Sequence, residues 1–395
     1  MTVIEFFDKD AIENIVSSLL CNPDKVIFIG DKFKAMQRAI EKYNLIVNKR
    51  GKSIEFSAIS ITRNNLQSIV GVLSELVQDS EEIVLDLTGG EDLYLVAAGI
   101  VHNCYPEKVK LHRFNINNGK FYDCDADGNV LVSSTENLTV EENISIYGGC
   151  VVFDDENPQA THIWDFNEEF ISDINLMWRI CCEDTKEWNK TMSRISSEEE
   201  MLDEDDLVLE SADNSFWAIP DVVVKLQENG IISDYKLLNG VLSFVCKNPQ
   251  VKRCLMKAGQ LLELKITAII LSLNETTDEK MPHDILTGVV IRWDDEKENK
   301  STVTNEVDVL AMKGLAPVFI SCKNGIVDVN ELYKLNTVAA RFGGKYAKKV
   351  LVATYELGSI VKRAEEMNIR VIDNVGDLNP DDNALKSKFE NIFSK

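Results

Sequence analysis

Residues 305–310 read NEVDVL and residues 319–325 read FISCKNG, and between them they hold Glu306, Asp308, Ser321 and Lys323. Both stretches alternate as strands do, and the Gly314-Leu315 dipeptide between them suits a two-residue hairpin turn. A turn centred there sets Asp308 opposite Ser321, with Glu306 and Lys323 on the same face. Val307, Val309, Ile320 and Cys322 then point the other way, into a core. A carboxylate on a rigid strand is a ligand for a hard cation such as Mg2+ or Mn2+, which takes oxygen donors. A lysine beside that cation can orient or help deprotonate a water and offset charge on a phosphate, the division of labour that phosphodiester cleavage needs. A further acid, Glu263, falls in the apolar stretch GQLLELKIT (259–267), where an unpaired carboxylate is costly unless a metal or base meets it. The bland alternative for Asp308 and Lys323 is an exposed ion pair of little energetic value.

The chain that must position these groups has 395 residues, enough for two or three domains, with 45% hydrophobic and 27% charged residues, as in soluble globular proteins. It has no run of eighteen apolar residues and starts with acids where a signal peptide is basic, which predicts a cytoplasmic protein without a membrane span. Nine cysteines without a CxxC pair predict thiols packed as small core residues, and four histidines, none at HxxxH spacing, speak against zinc. The net charge of −23 is unevenly spread. Residues 1–120 hold 14 basic against 16 acidic side chains, 121–250 hold 7 against 28, and 251–395 hold 21 against 21. Both ends can thus meet a polyanion locally, while the middle repels one.

KVIFIG (25–30), IEFSAISI (54–61), EEIVLDL (81–87) and KVKLHRFNI (108–116) alternate with helical stretches, which predicts an α/β domain built on a Rossmann-like parallel sheet over residues 1–145. A hairpin follows, with Asn-Gly and Asp-Gly turns. Residues 146–250 read as an acidic region containing a winged-helix-like unit, a helix stopped by Gly230 and two strands turning at Asn239-Gly240. Its charge favours a spacer over a DNA reader. Residues 251–395 read as a second α/β domain that opens with one amphipathic helix over 248–274 and continues through ILTGVVIRW, the hairpin, a helix over 328–342 and KKVLVAT (348–354). Arg341, Lys345, Lys348 and Lys349 near its end are candidates for phosphate contacts or solubilising surface.

GQLLE, NEVDVL, FISCKNG and the helix with ELYKL together resemble the restriction-endonuclease-like PD-(D/E)xK nuclease core, in the branch fused to a CRISPR-associated Rossmann-fold (CARF) sensor. The resemblance covers about 251–360. It implies that Glu263 and Asp308 bind Mn2+ or Mg2+ together with the backbone carbonyl of Cys322, and that Lys323 assists the attacking water. Ser321 stands where the family usually has an acid, a loss that Glu306 or water could cover.

LDLTGGEDL (85–93) puts Thr88, Gly89 and Gly90 where a buried strand gives way to a helix, the place at which ligands bind open α/β sheets. The absence of GxGxxG argues against a nicotinamide or flavin nucleotide. This arrangement is similar to the CARF domain, which binds cyclic oligoadenylate across a dimer. The resemblance carries over GDK (Gly30, Asp31, Lys32) and TGG, with Thr62, Arg63 and Asn64 as a third candidate loop. Together the two resemblances imply a homodimeric endonuclease of type III CRISPR antiviral defence, gated by cyclic oligoadenylate, with the tetra-adenylate as the expected ring, and cleaving RNA, DNA or both. The rival expectation is a non-catalytic regulator that binds DNA in response to a cyclic nucleotide and carries a degenerate nuclease domain.

Overall fold

The computed structural model describes all residues except 63, 125–129, 134–135, 154–159, 196–205, 212–213, 276–281, 294–303, 378–381 and 395. The chain divides into two compact units. One comprises Met1–Gly149 with Gly314–Ala316 and Arg341–Tyr346, and the other comprises Cys150–Lys313, Pro317–Ala340 and Ala347–Lys395. The acidic run at 196–205, the Asp127-Gly128 turn, the loop 294–301 and Arg63 lie outside the described residues.

The first unit is a seven-stranded sheet in the order β3-β2-β1-β4-β5-β6-β7, formed by Thr2–Phe6 (β1), Lys25–Gly30 (β2), Glu55–Ser60 (β3), Ile83–Asp86 (β4), Val109–Asn115 (β5), Lys120–Asp123 (β6) and Val130–Ser133 (β7). β1 to β5 are parallel, and β6 and β7 extend the sheet as an antiparallel hairpin. Helices Val16–Cys21 (α1), Phe33–Lys49 (α2), Leu66–Gln78 (α3), Asp92–Cys104 (α4) and Val140–Ile146 (α5) complete it. The Rossmann-like reading therefore holds, with one addition. TVIEF forms β1, the central strand, buried along Val3–Phe6. It is too short to announce itself beside the acids that follow. Because β1 leads to β2 and β3 on one side while β4 and β5 lie on the other, the strand order reverses between β1 and β4, which is where open α/β sheets form their ligand crevice.

The second unit contains a winged-helix-like part: helices Glu168–Glu183 (α6), Thr185–Ile195 (α7) and Asp221–Glu228 (α8) with strands Val208–Glu210 (β9), Ile232–Leu238 (β10) and Val241–Cys246 (β11). The wing turns at Asn239 and Gly240, with φ of 52° and 87°. These left-handed values suit the Asn-Gly pair. A six-stranded sheet, β16-β15-β14-β13-β12-β8, forms the rest. Its strands are Gly149–Val151 (β8), Asp284–Trp293 (β12), Thr304–Lys313 (β13), Ala316–Lys323 (β14), Lys348–Ala353 (β15) and Ile369–Ile372 (β16). Helices Pro249–Met256 (α9), Gln260–Ser272 (α10), Val329–Gly343 (α11), Ile360–Glu366 (α12) and Asp382–Ser394 (α13) pack with it. One hydrophobic cluster runs from Phe170 and Trp178 on α6 through Phe244 on β11 and α10 to Phe389 on α13.

Two expectations change. Residues 248–274 are not one amphipathic helix but two helices, broken at Gly259, whose φ of 95° ends the helical run. In the second of these every residue from Gln260 to Ile270 is buried, since α10 is enclosed on all sides rather than along one stripe. The cysteines are all free thiols, but only Cys181, Cys246, Cys254 and Cys322 are buried, while Cys104, Cys124 and Cys150 are exposed. Among the described residues no helix is long and apolar enough to cross a membrane.

Candidate active site and ligand edge

The hairpin folds as its alternation requires. β13 and β14 flank Gly314, whose φ of 60° the turn demands of a residue without a side chain. Val309, Ile320 and Cys322 enter the core cluster, and Val307 is buried. On the other face three donors converge on Asp308 Oδ2: the Ser321 hydroxyl at 3.1 Å, the Cys322 backbone N–H at 2.6 Å and Lys323 Nζ at 3.2 Å. Lys323 Nζ also lies 3.3 Å from Glu331 Oε2 on α11. Burial alone would push the Lys323 ammonium towards neutrality, but the Asp308 and Glu331 carboxylates outweigh it and hold its pKa above the ordinary lysine value. The Glu331 carboxyl is held below its usual range because Lys334 and Lys323 outweigh its burial.

Glu263 reaches the same place from the first turn of α10. It is 6% exposed and accepts a hydrogen bond from Gln260 Nε2 at 2.8 Å. Burial pushes its carboxyl well above the usual range; Lys257 pulls it back, Asp308 and Glu306 push it further, and Lys323 opposes them. Those neighbours bring Glu263, Asp308, Glu306 and Lys323 into one electrostatic cluster, fed by α10 and by β13 and β14. Glu306 is exposed and pairs with Lys257.

Three contributors escaped sequence reading. Lys257 sits in the break between α9 and α10, Gln260 holds Glu263, and Gly288 on β12 lies opposite Asp308 between the paired positions Thr287↔Val309 and Val289↔Val307. A Cβ on Gly288 would stand 4.0 Å from Glu263 Oε2. The only textual signals were a Lys-Ala-Gly helix break and a glycine inside a β-rich run.

Glu263 and Asp308 offer carboxylate oxygens, the donors that suit a hard divalent cation. Among the described residues no group of three or more His, Cys, Asp and Glu side chains could hold a metal, so a cation here would complete its shell with carbonyl and water. A carboxyl pushed up by burial first and by neighbouring acids after it is the environment such a cation relieves. A separate cleft of about 420 Å³, lined by residues including His162, Asn167, Asn248 and Arg253, contains none of these groups. The four basic residues expected near the end are held internally: Arg341 donates to the Tyr147 carbonyl at 2.8 Å, Lys345 pairs with Glu13 at 2.8 Å, Lys348 donates to the Ile392 carbonyl at 3.0 Å and Lys349 to the Met367 carbonyl at 2.6 Å.

In the first unit, parallel strands bring Gly30, Asp31 and Lys32 after β2, Thr62 and Asn64 after β3, and Thr88, Gly89 and Gly90 after β4 to one edge of the sheet. Asp31, Lys32, Thr62 and Asn64 are exposed there. The unexpected member is the loop after β1. Asp8 Oδ2 accepts the Gly90 N–H at 3.2 Å, and a Cβ on Gly90, where φ is 105°, would sit 2.6 Å from Phe6 Cβ. One on Gly89 would lie 3.1 Å from Asp8 Cβ. Gly90 is thus required by packing against β1 whatever it does for a ligand, and Gly89 is closely hemmed by the segment that follows β1. The Thr88 hydroxyl donates to Asp86 Oδ1 at 2.5 Å and accepts the Phe114 N–H at 2.8 Å, which ties β4 to β5. Beneath this edge Glu5 and Asp86 pair across β1 and β4, each fully buried, and Glu5 Oε1 has no hydrogen-bond partner. Burial first, then the Asp86 carboxylate, raises the Glu5 carboxyl well above its usual range.

No protein-family model matches the chain, and no curated protein matches it in sequence. Solved structures do. Protein VC1899 from Vibrio cholerae is similar to 100% of this chain over 98% of its own, with a TM-score of 0.77 at 20% identity. Can2 from Sulfobacillus thermosulfidooxidans, solved in complex with cyclic tetra-adenylate, is similar to 99% of this chain over 98% of its own, with a TM-score of 0.70 at 14% identity. At these identities the likeness is one of fold, and it runs through both units.

Proposed function

We propose that the chain is a metal-dependent endonuclease of type III CRISPR antiviral defence, active as a homodimer and switched on by cyclic oligoadenylate, most simply the cyclic tetra-adenylate held by the similarly folded Can2. The observation that supports the nuclease reading is that Lys323 Nζ lies 3.2 Å from Asp308 Oδ2 and that the buried Glu263, whose Oε2 stands 4.0 Å from where a Cβ on Gly288 would be, feels the charge of both. Glu263, Asp308 and the Cys322 carbonyl are the groups that would hold Mn2+ or Mg2+. A bound divalent ion supplies Lewis acidity and lowers the pKa of a water. Lys323, kept as an ammonium by Asp308, offsets charge that builds on the scissile phosphate. The Cys322 N–H and the Ser321 hydroxyl fix the Asp308 carboxylate so that one oxygen stays anchored to the hairpin. In the sensor unit, the edge lined by Gly30–Lys32, Thr62, Asn64 and Thr88–Gly90, with Arg63 as a further candidate, takes the ring. Switching requires that the ring bind the active arrangement more tightly than the resting one, by about 5 kcal/mol for a sharp response.

The test is cleavage of labelled RNA and DNA by the parent chain and by Lys323→Ala, with Mn2+ and with or without cyclic tetra-adenylate. Ligand-dependent cutting by the parent, lost in the variant, supports the reading. Ser321 in the place of an acid favours a second reading, a non-catalytic regulator. That reading wins if neither polymer is cut and the same mixture shifts duplex DNA on a gel.

A further inference from the structure

Lys323 is bracketed by two carboxylates. Its Nζ lies 3.2 Å from Asp308 Oδ2 and 3.3 Å from Glu331 Oε2, so it is suspended between the hairpin and the first turn of α11. The two anchors are unequal. Asp308 Oδ2 is already shared with the Ser321 hydroxyl and the Cys322 N–H, which leaves Lys323 one donor among three. Glu331 is more fully committed, because its other oxygen, Oε1, is pinned at 2.7 Å by Lys334 one helical turn on. Ser321 shares the chemical face of the hairpin but its hydroxyl is spent on Asp308 and carries no charge. β14 therefore offers no anion of its own to steer the lysine. A lysine side chain loses about 1.5–2 kcal/mol of rotamer freedom when fixed, and a single shared contact is a poor return for that cost.

We propose that Glu331 is a positioning residue of the active centre: from α11 it supplies the second carboxylate that fixes the Lys323 ammonium against Asp308. The alternative is a tether that merely fastens α11 to β14, as partly exposed ion pairs commonly do at small energetic value. The two differ in what the loss of the carboxylate changes. Removing a tether touches the docking of α11 and leaves kcat alone, whereas removing a positioning anion lowers kcat and leaves the fold alone.

The assignment rests on the nuclease reading, and the experiment separates their failures. Full-length parent, Glu331→Gln and the charge-conserving Glu331→Asp are compared with Mn2+ and cyclic tetra-adenylate. Misplacing a catalytic group by about 1 Å costs about 10²-fold, so Glu331→Gln is expected to lower kcat by about that factor. KM should stay within about threefold, since no substrate contact is removed. Mn2+ binding measured by electron paramagnetic resonance, and the melting temperature, should be essentially unchanged, because Glu331 acts through Lys323 rather than on the cation or the fold. In Glu331→Asp, which keeps the charge, kcat should stay within about tenfold of the parent. The assignment is overturned if Glu331→Gln cleaves like the parent, if its loss follows weakened Mn2+ binding or a fall in melting temperature, or if Glu331→Asp loses as much as Glu331→Gln. A parent chain that cleaves no nucleic acid overturns the nuclease reading and this assignment with it, whereas a cleaving parent with an indifferent Glu331→Gln overturns this assignment alone.

Discussion

Gly288 stands across from Asp308 in the β12–β13 pair, with the carboxylate of Glu263 4.0 Å from where its side chain would begin. Its φ of 63° belongs to a conformation that other residues adopt at a cost. A strand interior is an unfavourable place for glycine, and here its left-handed backbone and its missing side chain both face the two acids. Gly288→Ala should therefore lower stability by about 1–2 kcal/mol from backbone strain alone. If the open volume is where the cation sits, Mn2+ affinity should fall as well. Titration by electron paramagnetic resonance beside thermal denaturation separates the two effects, and unchanged affinity would show that the glycine serves the backbone only.

Lys323 should be separable from the fold. Lys323→Ala removes the ammonium that faces the reacting phosphate, and a loss of about 10²–10⁴-fold in cleavage is expected. The melting temperature should move little, because the lysine is anchored by partly exposed ion pairs rather than packed in the core. Activity that survives at a tenth of the parent rate would remove Lys323 from the catalytic machinery.

Gly90 gives a sharper test of the ligand edge. An added methyl group would collide with Phe6 Cβ at 2.6 Å, and φ of 105° is strained for any other residue. Gly90→Ala should cost about 1–3 kcal/mol without any ligand present. Thermal melting of the ligand-free protein measures this. A variant as stable as the parent would mean that the glycine is kept for ligand approach and not for the contact with β1.

The buried pair of Glu5 and Asp86 makes stability depend on pH in a stated direction. The Glu5 carboxyl titrates well above its unfolded value because burial, then the Asp86 carboxylate, disfavours its charge. Such a group contributes fully below the unfolded carboxylate pKa, and its contribution is lost as pH rises through the folded value. Burial pushes the Asp86 carboxyl up as well and gives a contribution of the same sign, so Glu5→Gln should weaken this dependence rather than abolish it. Melting temperatures of parent and variant, compared at pH 5 and pH 8, should thus diverge in favour of the variant as pH rises. A constant difference would mean that Glu5 does not change protonation in that range.

Much of the candidate site could be read from residue order because a hairpin is local. Period-two alternation with a glycine turn places Asp308 beside Ser321 and Lys323 through contacts only 13 and 15 residues apart in sequence. Glu263 could be singled out for a related reason, since a carboxylate in an apolar stretch needs compensation. Helix boundaries were less legible. Residues 248–274 look like one amphipathic run, but the left-handed turn at Gly259 divides it, and that break brings Lys257 to the acids.

Residue order by itself determined the parallel α/β pattern of the first unit, the two-faced hairpin and the chemical character of its exposed face, because each follows from spacing within a few residues. Only the tertiary structure decided that TVIEF is the central strand, that Gly288 faces Glu263, that Glu331 shares Lys323 with Asp308, and that Arg341, Lys345, Lys348 and Lys349 are bound internally. These relationships join segments far apart in the chain. Which of many chemically acceptable partners a side chain meets is set by how buried surfaces pack, and that is a property of the whole assembly of elements rather than of any stretch within it.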